Sequence, residues 1–248
     1  HLLPRYLNDV SQRSSAIELL GQRWAQPFGI APIGMAGLFW PAGDLAAARA
    51  AAAAQVPYVL STAASSTLED VIAVNPAAWF QLYVLNQALA DHLLARALNA
   101  GYQTLVVTVD VPLSGLRERD ARNGLSQPLK LSPRALASML AHPRWLAGIV
   151  RHGQPDMANL RSADASDAAL QAALLQRQMD ASFNWERLQA IRARWPHRLL
   201  VKGLLHPQDV AQAFALGADA VIVSNHGGRQ LNGAPASLSC LPAAVAAA

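Results

Sequence analysis

One pattern constrains this chain more than any other. A short apolar run ends in a polar residue, a loop follows, then a helical stretch rich in alanine or leucine, and the cycle starts again. The runs are Phe28-Gly29-Ile30-Ala31-Pro32, Pro57 to Ser61, Trp79 to Val84, Thr104 to Val109, Leu199 to Lys202 and Ala220 to Val223. Each has the length and β-branched or aromatic content of a buried strand. Between them the sequence predicts helices from Gly43 to about Ala54 with Asp44 as N-cap, after Ser66 with capping-box spacing in Ser66-Thr67-Leu68-Glu69, and from Asn86 to Ala100 stopped by Gly101. Two more are predicted near Trp185 to Trp195 and from Pro207 to Leu216. Strands joined through helices pair in parallel.

Six βα units on this plan fit either a (β/α)8 TIM barrel, of which this stretch holds part, or an open doubly wound sheet. The second usually announces itself by a Gly-x-Gly-x-x-Gly turn, which does not occur here. The α/β barrel is the expectation. Polar residues cluster where such a barrel builds its active site, at the carboxyl ends of the runs: Gly34, Ser61, Gln81 with Tyr83, Thr108 with Asp110, Lys202 and His226. The regular alternation lapses only across residues 125–180, a connection long enough to be a lid or a binding segment. Residues 1–248 otherwise read as one partial barrel domain.

The final run opens onto Ser224-Asn225-His226-Gly227-Gly228-Arg229-Gln230-Leu231. A histidine moves protons near neutral pH, an arginine grips a carboxylate through paired hydrogen bonds, and two glycines let backbone approach a flat ligand. A polar loop with a solvated His and Arg has the same composition, so the motif needs matching equipment elsewhere. Tyr83 is equally at home as a core aromatic, and Lys202 at a strand end would also suit Schiff-base chemistry. His92, His142, His152, His197 and His206 lack metal-ligand spacing.

Composition narrows the partners. With 52% hydrophobic residues in 248, a sizeable core is available. The net charge of +4 suits an anionic substrate or lipid surface, and no Lys/Arg run points to nucleic acid. The single Cys240 forms no intrachain disulfide, and no apolar run is long enough to span a bilayer.

Several blocks in order resemble the FMN-dependent 2-hydroxy-acid oxidising family. They are the eight-residue motif, Ala31-Pro32-Ile33-Gly34, Leu60-Ser61-Thr62-Ala63, Trp79-Phe80-Gln81-Leu82-Tyr83, Thr108-Val109-Asp110-Val111-Pro112, Arg117-Glu118-Arg119-Asp120 and Leu200-Val201-Lys202-Gly203. Leu38-Phe39-Trp40-Pro41 and the stretch from Arg177 to Trp185 are most similar to the mandelate dehydrogenase branch. The resemblance implies a TIM barrel that binds FMN and oxidises an (S)-2-hydroxy acid such as mandelate, or lactate in other branches, to the 2-oxo acid. It assigns His226 as base, Asp110 as its carboxylate partner and Tyr83 as a hydrogen-bond donor to substrate. Arg117 and Arg229 become the carboxylate clamp. Pro32, Ile33, Gly34, Ser61, Gln81, Thr108, Lys202 and Ser224 become flavin contacts, with Lys202 beside N1 and O2. Trp40 is a candidate lining for an aromatic substrate.

The resemblance also implies, through glycine at position 34, a dehydrogenase passing electrons to a quinone or another acceptor rather than an oxidase using O2. Residues 125–160 fall where the mandelate branch carries a membrane-binding insertion, implying a peripheral place on the cytoplasmic side of the membrane, and a homo-oligomer is expected. The alternative is a non-catalytic partial barrel without flavin. The family's phosphate-holding turns come after Leu241-Pro242, so the stretch is expected to be the middle of a longer protein and to hold FMN weakly by itself. Whether the Cα hydrogen leaves as proton or hydride is left open by these residues.

Overall fold

The computed structural model describes residues 4–113, 115, 118–122, 133–153, 155–160 and 180–248. It begins with an antiparallel hairpin of β1 (Ile17–Leu19) and β2 (Gln22–Trp24), turned by Leu20 and Gly21 at φ 55 and 66°. Two successive left-handed residues give a turn whose twist matches that of the strands. The sequence predicts no element here, because three-residue strands are too short for alternation to stand out.

The run Phe28 to Pro32 is not a strand of the sheet. It makes one parallel bridge, Ile30 to Tyr58, with Ile30 N–H donating to Pro57 O at 2.8 Å and Val59 N–H to Ile30 O at 3.0 Å. Pro27 and Pro32 bracket it, and proline has no N–H to extend a ladder. The sheet therefore has five strands among the described residues where six were expected, all parallel, in chain order: β3 (Val59–Ser61), β4 (Trp79–Leu82), β5 (Thr104–Thr108), β6 (Arg198–Leu204) and β7 (Ala220–Val223).

Helices α1 (Ala36–Phe39) and α2 (Gly43–Ala54) precede β3, and α3 (Leu68–Val74) and α4 (Gln87–Ala100) follow β3 and β4. Two cap assignments shift. Ala42, left-handed at φ 55°, is the N-cap of α2, while Asp44 lies inside the helix, 1% exposed, accepting from Ser65 N–H at 2.9 Å. Burial raises the Asp44 pKa above the usual carboxylate range, opposed by that bond and further backbone N–H groups. Thr67, not Ser66, caps α3 by accepting from Asp70 N–H. Gly101 stops α4 as the sequence predicts, and Asn86, expected as its first residue, is its N-cap, accepting from Leu89 N–H at 2.8 Å.

After β5 come α5 (Glu118–Arg122), α6 (Pro133–Leu140), α7 (Pro143–His152) and a 3-10 turn at Ala158–Leu160. Within the 125–180 stretch, residues 125–132, 154 and 161–179 lie outside the described residues. Helices α8 (Trp185–Arg194), α9 (Pro207–Ala215) and α10 (Ser237–Ala247) complete the order around β6 and β7. The long connection is fastened to the body. Gly148 lets α7 lie against Pro41, where a Cβ would come within 2.4 Å of Cγ. Trp145 Nε1–H donates to Leu38 O at 2.9 Å. The buried Asn159 accepts from Leu68 N–H at 2.8 Å and donates to Ser66 O at 3.3 Å.

Strand alternation divides the core in two. Leu60, Phe80, Leu82, Leu105, Val107, Leu199 and Val201 pack outward among the helices. Val59, Trp79, Val106 and Leu200 face the other way and close on Trp24 of the hairpin, whose ring meets Trp79 edge-on at 6.4 Å. Further along that second face, toward the carboxyl ends, the buried residues turn polar.

Candidate active site

Four buried polar side chains, Ser61, Gln81, Thr108 and Lys202, project from β3 to β6 on the face opposite the helices. Thr62 ties the first two strands together. Its Oγ1–H donates to Gln81 O at 2.7 Å and Oγ1 accepts from Tyr83 N–H at 2.9 Å, while its own N–H donates to Gln81 Oε1 at 3.4 Å. That leaves Gln81 Nε2 buried without a partner among the described residues, and Thr108 Oγ1 is in the same state. Unsatisfied buried donors are costly unless a ligand completes them. Lys202 is 9% exposed, and burial lowers its pKa, opposed by the negative charge of Asp110.

His226 stands at φ 57°, in the left-handed region that a non-glycine residue rarely occupies. Three contacts fix it. Its N–H donates to Ser224 Oγ at 3.0 Å, Nδ1 lies 3.0 Å from Asp110 Oδ1, and Nε2 lies 3.4 Å from Tyr83 OH. An ionised carboxylate only accepts, so the proton between Asp110 and a neutral imidazole sits on Nδ1 and the lone pair on Nε2. Ser224 Oγ also accepts from Lys202 Nζ at 3.2 Å, linking the lysine to the histidine loop. Asp110 Oδ2 is buried without a partner among the described residues.

The predicted residues divide by place. His226, Asp110, Tyr83, Lys202 and Ser224 form one connected group, and Gln81 and Ser61 adjoin it through Thr62 and Tyr83. Gly34 and Met35 lie against Ala63, the residue after Thr62: Met35 N–H donates to Ala63 O at 2.8 Å and a Cβ on Gly34 would touch Ala63 Cβ at 3.4 Å, with Pro32 and Ile33 just before them in the chain. Arg229 is exposed past Gly227 and Gly228, with its carbonyl against Gly115, and Gln230 Nε2–H holds Leu113 O at 2.9 Å. Arg117 lies outside the described residues. Trp40 is 63% exposed and turned to the surface. The sequence reading missed Thr62, whose value lies in a cross-strand contact that linear spacing does not reveal.

The donors match a flavin. An amide N–H, a hydroxyl and a buried ammonium, all on one face, suit the carbonyl and ring-nitrogen edge of an isoalloxazine. No group of His, Cys, Asp and Glu among the described residues is arranged to hold a metal.

The profile of the FMN-dependent dehydrogenase family matches residues 1–248. (S)-Mandelate dehydrogenase of Pseudomonas putida is 48% identical over 244 residues, covering 98% of this chain and 62% of that protein. L-Lactate dehydrogenase of Xanthomonas campestris pv. campestris is 40% identical over 247 residues, 98% of this chain and 64% of the relative. Among solved structures, one described as the monotopic membrane protein (S)-mandelate dehydrogenase superposes with TM-score 0.90 at 48% identity, over 98% of this chain and 66% of that one. A mandelate oxidase variant superposes with TM-score 0.76 at 34% identity, covering 99% and 62%. The chain thus spans a little over three-fifths of the curated relatives it matches. The five-stranded sheet is accordingly part of a TIM barrel, and the chain belongs to the FMN-dependent dehydrogenase family.

Proposed function

We propose that the full-length protein oxidises an (S)-2-hydroxy acid, mandelate or a similarly bulky aromatic acid, to the 2-oxo acid. The carrying observation is His226 held between Asp110 and Tyr83 beside a buried cation. FMN, when bound, supplies the acceptor for the two electrons. Gln81, Thr108, Ser61 and Lys202 would hold its ring edge, Lys202 placing positive charge where the reduced ring gains negative charge. His226 takes a substrate proton at Nε2, and Asp110 stabilises the imidazolium that results. Tyr83 OH donates to the substrate oxygen, and Arg229 with Arg117 clamps the carboxylate. The same reading passes the electrons to a quinone and assembles the protein as a homo-oligomer. Anaerobic mixing of the full-length, FMN-loaded protein with (S)-mandelate should bleach the flavin and release benzoylformate. An unchanged flavin spectrum with both mandelate and lactate would refute the reading.

We also infer a peripheral place on the cytoplasmic face of the membrane. Among the described residues no helix is long and apolar enough to cross one. Leu140 and Val150 of the α6–α7 pair are 71% and 79% exposed, and Phe39 and Trp40, next to the Leu38 and Pro41 contacts of α7, are 75% and 63% exposed. Trp145 is engaged with Leu38, so Trp40 is the better interfacial aromatic. Arg144 and Arg151 on α7 add charge for anionic lipid. Replacing residues 133–152 by a short polar linker should release the full-length enzyme from anionic vesicles, and unaltered co-sedimentation would contradict this.

A further inference from the structure

The Asp110–His226 pair joins two strands that are not neighbours. Asp110 follows β5 and His226 follows β7, and β6 lies between them in the sheet. Their 3.0 Å contact therefore crosses over the carboxyl end of β6. At that crossing the chain has Gly203. Its φ is +113°, and the register slips between Lys202 and Leu204, the mark of one extra residue in the strand. A Cβ built on Gly203 would lie 2.5 Å from Asp110 Cβ, 2.6 Å from its Cγ and 2.9 Å from its N. Real Cβ atoms do not approach that closely, and two of the three obstacles are the side chain of Asp110 itself.

The slip has a second consequence. In a regular strand, residues 202 and 204 would share a face. Here Lys202 stays on the polar face and bonds Ser224, while Leu204 enters the helix-side core with Leu199 and Val201. The extra residue thus ends the polar face of β6 at Lys202 and leaves bare backbone beyond it, beside Asp110.

We propose that Gly203 is a positioning residue of the proton-accepting site: a side-chain-free saddle, set in a bulge of β6, over which Asp110 reaches His226. This rests on the reading of His226 and Asp110 as the proton-accepting pair. Gly203 touches neither substrate nor flavin in this role. It acts through Asp110, so its loss falls on kcat rather than on substrate or flavin binding.

The test uses the full-length enzyme loaded with FMN and compares Gly203→Ala, Asp110→Asn and the double variant with (S)-mandelate. Gly203→Ala is expected to lower kcat by about 10²-fold, the lower range for disabling a general base, with flavin absorbance retained and KM within about threefold. In the Asp110→Asn background the same change is expected to lower kcat by no more than about threefold, since the interaction it disturbs is already gone. Losses that multiply in the double variant, or a Gly203→Ala enzyme at the wild-type rate beside an impaired Asp110→Asn, would overturn the proposal while leaving the proton-accepting reading intact. Asp110→Asn at the wild-type rate would remove that reading and the proposal with it. Should Gly203→Ala fail to retain flavin, Asp110→Gly in the same chain is expected to recover part of it, since the Cβ and Cγ contacts go while the contact with the backbone N at position 110 and the positive φ remain, and no recovery at all would equally overturn the proposal.

Discussion

On one face of the same strands, two positions apart, the chain builds two different materials. At the lower end Val59, Trp79, Val106 and Leu200 close on Trp24. Two residues further along β3, β4, β5 and β6 stand Ser61, Gln81, Thr108 and Lys202, equally shielded from solvent. The lower layer gains from burial. The upper layer costs stability, because Gln81 Nε2, Thr108 Oγ1 and Asp110 Oδ2 have no partners among the described residues and Lys202 carries a charge away from water. A fold that tolerates such a layer holds it for a ligand, and the hairpin-plugged apolar layer beneath offsets the cost.

Exchanging the roles of the layers sharpens the contrast. Trp79→Ala should cost about 3–5 kcal/mol, as large aromatic truncations in cores do, seen as a lower denaturant midpoint, while molecules that remain folded keep their turnover. Lys202→Met should act in the opposite sense, stabilising flavin-stripped protein by roughly 1 kcal/mol while weakening FMN binding and altering its reduction potential. The pH dependence follows from the sign of the shift. The folded-state pKa of Lys202 is below its ordinary value, so between the two values the unfolded chain binds more protons and wild-type stability rises with pH. The advantage of Lys202→Met should be fully present below the lowered pKa and fade as pH climbs toward the ordinary lysine range, which thermal melts across pH would reveal. Thr108→Val removes one unsatisfied hydroxyl and should stabilise the flavin-stripped protein by up to about 1 kcal/mol, with weaker FMN affinity by titration. Stabilisation by Trp79→Ala, or loss of stability in both upper-layer variants, would break the division.

Much of this was legible in the sequence where one segment determines its own structure. The runs at Trp79, Thr104, Leu199 and Ala220 are strands, and Asn86 with Gly101 bounds a helix, because β-branched content and cap chemistry act locally. The run at Phe28 failed as a strand since proline cannot continue a ladder, and Asp44 proved to be a buried acceptor for a loop 21 residues away. In the site, His226, Asp110 and Tyr83 converge as their motifs imply. What the sequence could not disclose is how they converge. The Thr62 link between β3 and β4, the shared Ser224 acceptor and the crossing at Gly203 depend on register between strands, which spacing along one strand does not encode.

Whether the upper layer is organised around a proton acceptor at His226 Nε2 is decided by anaerobic rapid mixing of full-length, FMN-loaded His226→Asn with (S)-mandelate. The variant's flavin should stay bound with an unaltered spectrum but bleach about 10²- to 10⁴-fold more slowly than in the wild type. Bleaching at the wild-type rate would contradict it.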